Sequence, residues 1–124
     1  MRLLLDAHSL LWWVTESPRL TTTARDAIAD PANDVVIGIG ALWEIGIKRS
    51  LGKMHFPFDF ESVLGDEAIG ILPIVFAHLR VLDGLPAHHR DPFDRLLIAQ
   101  ALAEGIPIVT ADRAFAGYGV TVVW

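Results

Sequence analysis

Short continuous apolar runs recur along the chain at Leu3–Leu5, Val35–Ile37, Ile106–Val109 and Val120–Val123, with a weaker one at Ile69–Leu72. None alternates with polar residues, which is the pattern of strands buried on both faces. Helical patterns fill the gaps. His8 to Thr15 follows the first run, with Pro18 just beyond it. Thr21 offers an N-cap to the next. Ala41 to Leu51 forms a third, ended by Gly52. Asp59 to Asp66 and Phe76 to Leu82 give two more. Asp91-Pro92 reads as an N-cap followed by proline at the first helical position, opening a helix through Ala103 that Gly105 stops. Strands alternating with helices predict a parallel α/β sheet covered on both faces. In such sheets, sites collect at the carboxyl ends of the strands.

The chain has 124 residues, enough for one domain and too few for two, so residues 1–124 are read as a single unit. At 52% hydrophobic it is not a disordered chain. Counting the 10 glycines as well carries the apolar share above the roughly 45–50% of typical soluble domains. A small domain cannot bury such an excess alone, which predicts an apolar interface with another chain. No cysteine is present, so disulfides, thiolate metal sites and cysteine nucleophiles are excluded, in keeping with a cytoplasmic protein. No run is long enough to span a membrane, and the first residues do not read as a signal peptide. Fifteen acids against ten bases give a net charge of −5. That is the wrong sign for an ordinary DNA-binding module. Any nucleic acid would have to be held by local bases or bound cations.

The acids carry the candidate chemistry. Asp6 directly follows the first strand and reads either as a helix cap or as a ligand. Glu44 has apolar helical neighbours in Ala41, Ile45 and Ile47, while Lys48 one turn on allows a plain surface ion pair. Asp91 suits an N-cap, and Asp94 three residues later points toward the apolar side that Ile98 marks. Asp112 follows Ile106–Val109 in Thr110-Ala111-Asp112-Arg113, where it can cap a short helix and Thr110 can steady a carboxylate. Each acid alone is ambiguous, but several fall just after strands or in first helical turns, where a parallel sheet gathers its strand ends. At ~5 Å and an effective dielectric of ~20, each pair of carboxylates repels by about 3 kcal/mol. Such a cluster takes up protons or holds a cation. Oxygen ligands select Mg²⁺ or Mn²⁺ over zinc, and no histidine pair has zinc-protease spacing.

In order, Leu-Leu-Leu-Asp6-Ala-His8-Ser-Leu-Leu-Trp, Leu-Trp43-Glu44-Ile-Gly-Ile-Lys48, Arg-Asp91-Pro-Phe-Asp94-Arg95-Leu-Leu-Ile-Ala-Gln100 and Val109-Thr110-Ala-Asp112-Arg113 resemble the PIN-domain ribonucleases, specifically the VapC-type toxins of toxin–antitoxin pairs. The resemblance covers essentially the whole chain. It implies a three-layer α/β/α sandwich around a mainly parallel sheet. It matches Asp6, Glu44, Asp94 and Asp112 to the family's metal-binding acids, with Thr110 beside them. Through it the chain is expected to be an Mg²⁺- or Mn²⁺-dependent endoribonuclease acting on RNA, a homodimer, and silenced by a VapB-like antitoxin. Arg95 and Arg113, with Lys48, Arg49 and Lys53, are candidates for the RNA backbone or for surface charge.

Three positions depart from the family. Ala7 stands where a threonine is usual, and Gly38 and Ala41 stand where serines are. Lost hydroxyls remove hydrogen bonds that orient carboxylates, which predicts weaker metal affinity. The competing readings are a catalytically inactive binding protein on the same fold, or a related Mg²⁺-dependent nuclease with another nucleic-acid substrate. A phosphoacceptor domain fits less well, since it wants paired acids after the first strand. The four tryptophans are expected in the core, save one of Trp12 and Trp13, which adjacency turns toward a partner.

Overall fold

The computed structural model describes residues 1–89 and 91–124. Five parallel strands form one sheet: β1 (Arg2–Leu5), β2 (Asp34–Gly38), β3 (Gly70–Leu72), β4 (Ile108–Val109) and β5 (Val122–Val123), in the order β3-β2-β1-β4-β5. The chain steps outward from β1 to β2 and β3, then returns to lay β4 and β5 on the other side of β1. The order therefore switches direction between β1 and β4, where open α/β sheets form their clefts.

Period-two alternation sends the strand side chains to two separate cores. Leu3 and Leu5 of β1, Val35 and Ile37 of β2 and Val109 of β4 face the first. It is covered by α1 (Ala7–Val14), α2 (Thr22–Ala29), α3 (Ile39–Ser50) and α4 (Phe60–Asp66). Leu4, Val36, Leu72 and Ile108 face the second, beneath α6 (Pro92–Glu104) and a 3₁₀ helix (Arg113–Tyr118). The remaining helix, α5 (Phe76–Asp83), packs on α6. The three-layer sandwich expected from the sequence is thus present. Each fully buried Leu or Ile of the sheet adds about 1.5–3 kcal/mol of hydrophobic stabilisation.

Three strands are shorter than their apolar runs, β3 by Ile69 alone and β4 and β5 by two residues each. Pro107 has no N–H for the ladder, so β4 starts at Ile108, although the Pro107 carbonyl still accepts from Leu4 N–H at 3.0 Å. Gly119, at φ +84°, closes the 3₁₀ helix and delays β5 to Val122. Tryptophan placement also differs from expectation. Trp12 packs against Trp124, and the Trp13 indole N–H donates to Glu67 at 2.9 Å, so both are partly covered within the chain. Trp43 is the outlier, 65% exposed on α3. Among the described residues, no helix is long and apolar enough to cross a membrane.

Candidate active site

Asp6 ends β1 and caps α1. Its Oδ1 accepts from Ser9 N–H at 2.7 Å, and its Oδ2 accepts from the Thr110 hydroxyl at 2.6 Å. The capping and ligand readings of Asp6 are therefore compatible, since capping occupies one oxygen and the other turns toward β4. Thr110 is fully buried, and its Oγ1 also accepts from Asp112 N–H at 3.1 Å. One hydroxyl so links the acid after β1 to the acid after β4. It also bears on Ala7, because an oriented hydroxyl reaches Asp6 from β4 even with none at position 7. At Gly38 the missing hydroxyl has a steric cause: an added Cβ would lie 2.7 Å from Gln100 Oε1, in a side chain that is itself buried.

Glu44 projects from the middle of α3 and is 7% exposed. The ion pair with Lys48 exists, at 2.6 Å to Oε2, but it lines an internal wall instead of lying on the surface. That hydrogen bond raises the Lys48 pKa above its ordinary value, against the opposing pull of burial. Asp91 caps α6, with Oδ1 accepting from Phe93 N–H at 2.8 Å and Asp94 N–H at 3.1 Å. Asp94 sits one turn into α6. Because α6 runs against the strands, its first turn opens at their carboxyl ends. Asp112 caps the 3₁₀ helix through Ala114 N–H at 3.0 Å.

All of these acids line one cavity of about 190 Å³: Asp6, Glu44, Asp91, Asp94 and Asp112, together with His8, Lys48 and Phe115. Like charges gathered there leave a clear electrostatic mark. Burial, then the charges of Asp91 and Glu44, push the Asp94 pKa up to about 7. The tightest grouping among the described residues is His89, Asp94 and Asp112, with one ligand atom of each within 4.8 Å of the others.

The bases distribute unevenly. Arg95 turns away from the cavity and donates to the carbonyls of Pro86 at 2.9 Å and Leu85 at 3.4 Å, bracing the segment before α6. Arg49 lies over the Phe60 ring and donates to the Phe56 and Phe58 carbonyls. Arg113 is exposed at the start of the 3₁₀ helix. His88 and His89 precede Asp91 and read from the sequence as substrate contacts or as a cover over the mouth of the site; the structure brings His89 against Asp94 and Asp112.

The PIN domain family matches residues 3–120. Ribonuclease VapC22 of Mycobacterium tuberculosis is 30% identical over 115 residues, covering 89% of this chain and 86% of that protein. Among solved structures, VapBC2 from Rickettsia felis, bound to a DNA fragment from its promoter, superposes with a TM-score of 0.72. It is 16% identical and covers 98% of this chain and 97% of that one. DNA-bound VapBC from Salmonella typhimurium gives 0.72 at 17% identity, covering 98% and 96%. FitAB bound to the IR36 DNA fragment gives 0.65 at 14% identity, covering 97% and 92%. With residues 3–120 matched, its sheet order that of a three-layer sandwich and its acids gathered at the strand ends, the chain belongs to the PIN domain family, as a VapC-type member.

Proposed function

We propose that this protein is a divalent-metal-dependent endoribonuclease, the toxin of a pair in which a VapB-like antitoxin silences it. The observation that carries the reading is the convergence of four acids from four separate segments on one small cavity, with Asp94 driven up to about 7 by burial and by the neighbouring carboxylates. The donors fit the ion. They are carboxylate oxygens, which suit Mg²⁺ or Mn²⁺, and a +2 charge removes the repulsion that protonation otherwise relieves.

Asp94, Asp112 and Asp6 would hold the metal. Thr110 fixes the rotamer of Asp6, and the cap bonds fix Asp112, so these ligands are oriented before any ion arrives. Glu44 keeps one oxygen on Lys48, which leaves the other to ligate or to orient a water. A bound ion supplies charge compensation for the phosphodiester and lowers the pKa of a coordinated water. With it in place, the acidic cavity attracts a phosphate although the whole chain is negative. Arg113 lies beside Asp112 and would hold the RNA backbone next to the cleavage point. The setting is the cytoplasm, where such a substrate is found.

The antitoxin assignment rests on the relation to VapC22 and on likeness to VapBC complexes. A homodimer is supported by the surface. Ile39, Trp43, Ile71, Ile74, Val75, Phe76 and Leu79 are all at least 40% exposed. Ile39, Trp43 and Ile71 line one apolar hollow at the β3 edge of the sheet. A second copy of the chain would cover it.

RNA ends sequenced after induction test the reading. Wild type should give new, discrete 5′ ends that the Asp6→Asn variant does not, and identical ends from both would refute nuclease action.

A further inference from the structure

The cavity mouth holds one group that the acids do not account for. His89 lies between α5 and α6, and its Nε2 is 3.2 Å from Asp94 Oδ2 and 3.2 Å from Asp112 Oδ2. On the other side of the ring, Nδ1 accepts from Asp91 N–H at 3.2 Å. A ring nitrogen that accepts carries no proton, so the proton is on Nε2, which donates to Asp112 Oδ2 with Asp94 Oδ2 alongside at 3.2 Å. In this pose the ring presents no lone pair to the acids and cannot ligate a metal through Nε2. Its N–H instead takes up room beside the oxygens of Asp94 and Asp112 that a shared cation would use.

The pose is built. His89 N–H donates to the Tyr118 hydroxyl at 2.6 Å, the ring meets Phe115 edge-on at 5.9 Å, and Arg95 braces the Pro86 carbonyl just upstream. We propose that His89 is a placeholder for the divalent ion. It holds the oxygens of Asp94 and Asp112 in the ion-free protein, and it must withdraw from them when an ion binds. The inference rests on the metal-dependent reading above and adds a control on that site: ion affinity is set by exchange with a side chain of the protein itself.

Calorimetric titration of the full chain with Mn²⁺, for wild type, His89→Ala and His89→Gln, tests it. Removing the competing donor should tighten Mn²⁺ binding in His89→Ala by about tenfold, the worth of one lost charge-assisted hydrogen bond. His89→Gln, which keeps an N–H donor, should stay closer to wild type. The ion-free His89→Ala protein should also melt lower than ion-free wild type, with the gap closing when Mn²⁺ is added. Equal Mn²⁺ affinity in all three would overturn the placeholder and leave the metal site intact. Weaker binding in His89→Ala would overturn it in favour of a ligating imidazole. No Mn²⁺ binding to any of the three would overturn the metal site and the placeholder together.

Discussion

The Thr110 hydroxyl donates to Asp6 Oδ2 at 2.6 Å across 104 positions of sequence, tying the carboxyl end of β1 to that of β4. That bond spans the point where the strand order reverses. It makes the orientation of one acid depend on the strand that leads to another. Replacing Thr110 with valine keeps the shape and removes the bond. Loss of an orienting partner of this kind typically costs about 10–100-fold in metal affinity. Thr110→Val should therefore bind Mn²⁺ at least tenfold more weakly by titration, with the fold retained by circular dichroism.

The pKa of Asp94 gives a pH dependence with a definite sign. Its folded value, about 7, lies above the ordinary carboxylate range, so the folded state holds this proton more tightly than the unfolded state does. The associated stability is fully present below the unfolded value near 4 and is lost as pH rises through about 7. With the side chain a quarter exposed, the effect is on the order of 1–3 kcal/mol. Metal-free wild type in chelator should thus be less stable to urea at pH 8 than at pH 5.5. Asp94→Asn, which cannot ionise there, should flatten that difference.

Near pH 7 the same shift couples metal to protons. Asp94 must be ionised to serve as a ligand, so ion binding should release part of a proton at pH 6.5 and almost none at pH 8.5. Calorimetric titration in two buffers of different ionisation enthalpy reads that release directly.

Trp43 and Phe76 are 65% and 77% exposed on the proposed interface. Trp43→Glu places a charge in the middle of a face that a second copy would dry out, at a cost of a few kcal/mol. Light scattering should show a dimer for wild type and a monomer for Trp43→Glu. A monomeric wild type would contradict this use of the face.

Much of this could be read from the sequence because its local signals agree with one another. The apolar runs mark every strand of the sheet, and Asp91-Pro92 opens α6 where it was expected. Asp6 and Asp112 stood out because they follow strands, and Asp91 and Asp94 because they open α6; Glu44, in the middle of α3, stood out by its apolar neighbours, and all five line the cavity. What stayed hidden depends on side-chain direction across the fold. Lys48 and Glu44 look like any surface pair at a spacing of four, and only the packing of α3 against α6 turns them inward. His89 enters the site through Tyr118 and Asp91, contacts with no sequence period. Trp43 has the residue type of a core position, and its exposure follows from which side of α3 Glu44 must occupy.

The most direct measurement is cleavage of a single-stranded RNA by the purified protein, with Mg²⁺ or Mn²⁺ and with chelator, for wild type and Asp6→Asn. Cleavage by wild type that needs the ion, together with a loss of at least 100-fold in Asp6→Asn while its fold persists, is the expected result, on the order of what losing a catalytic metal's ligand brings. Undiminished cleavage by Asp6→Asn, or cleavage by wild type in chelator, would contradict it.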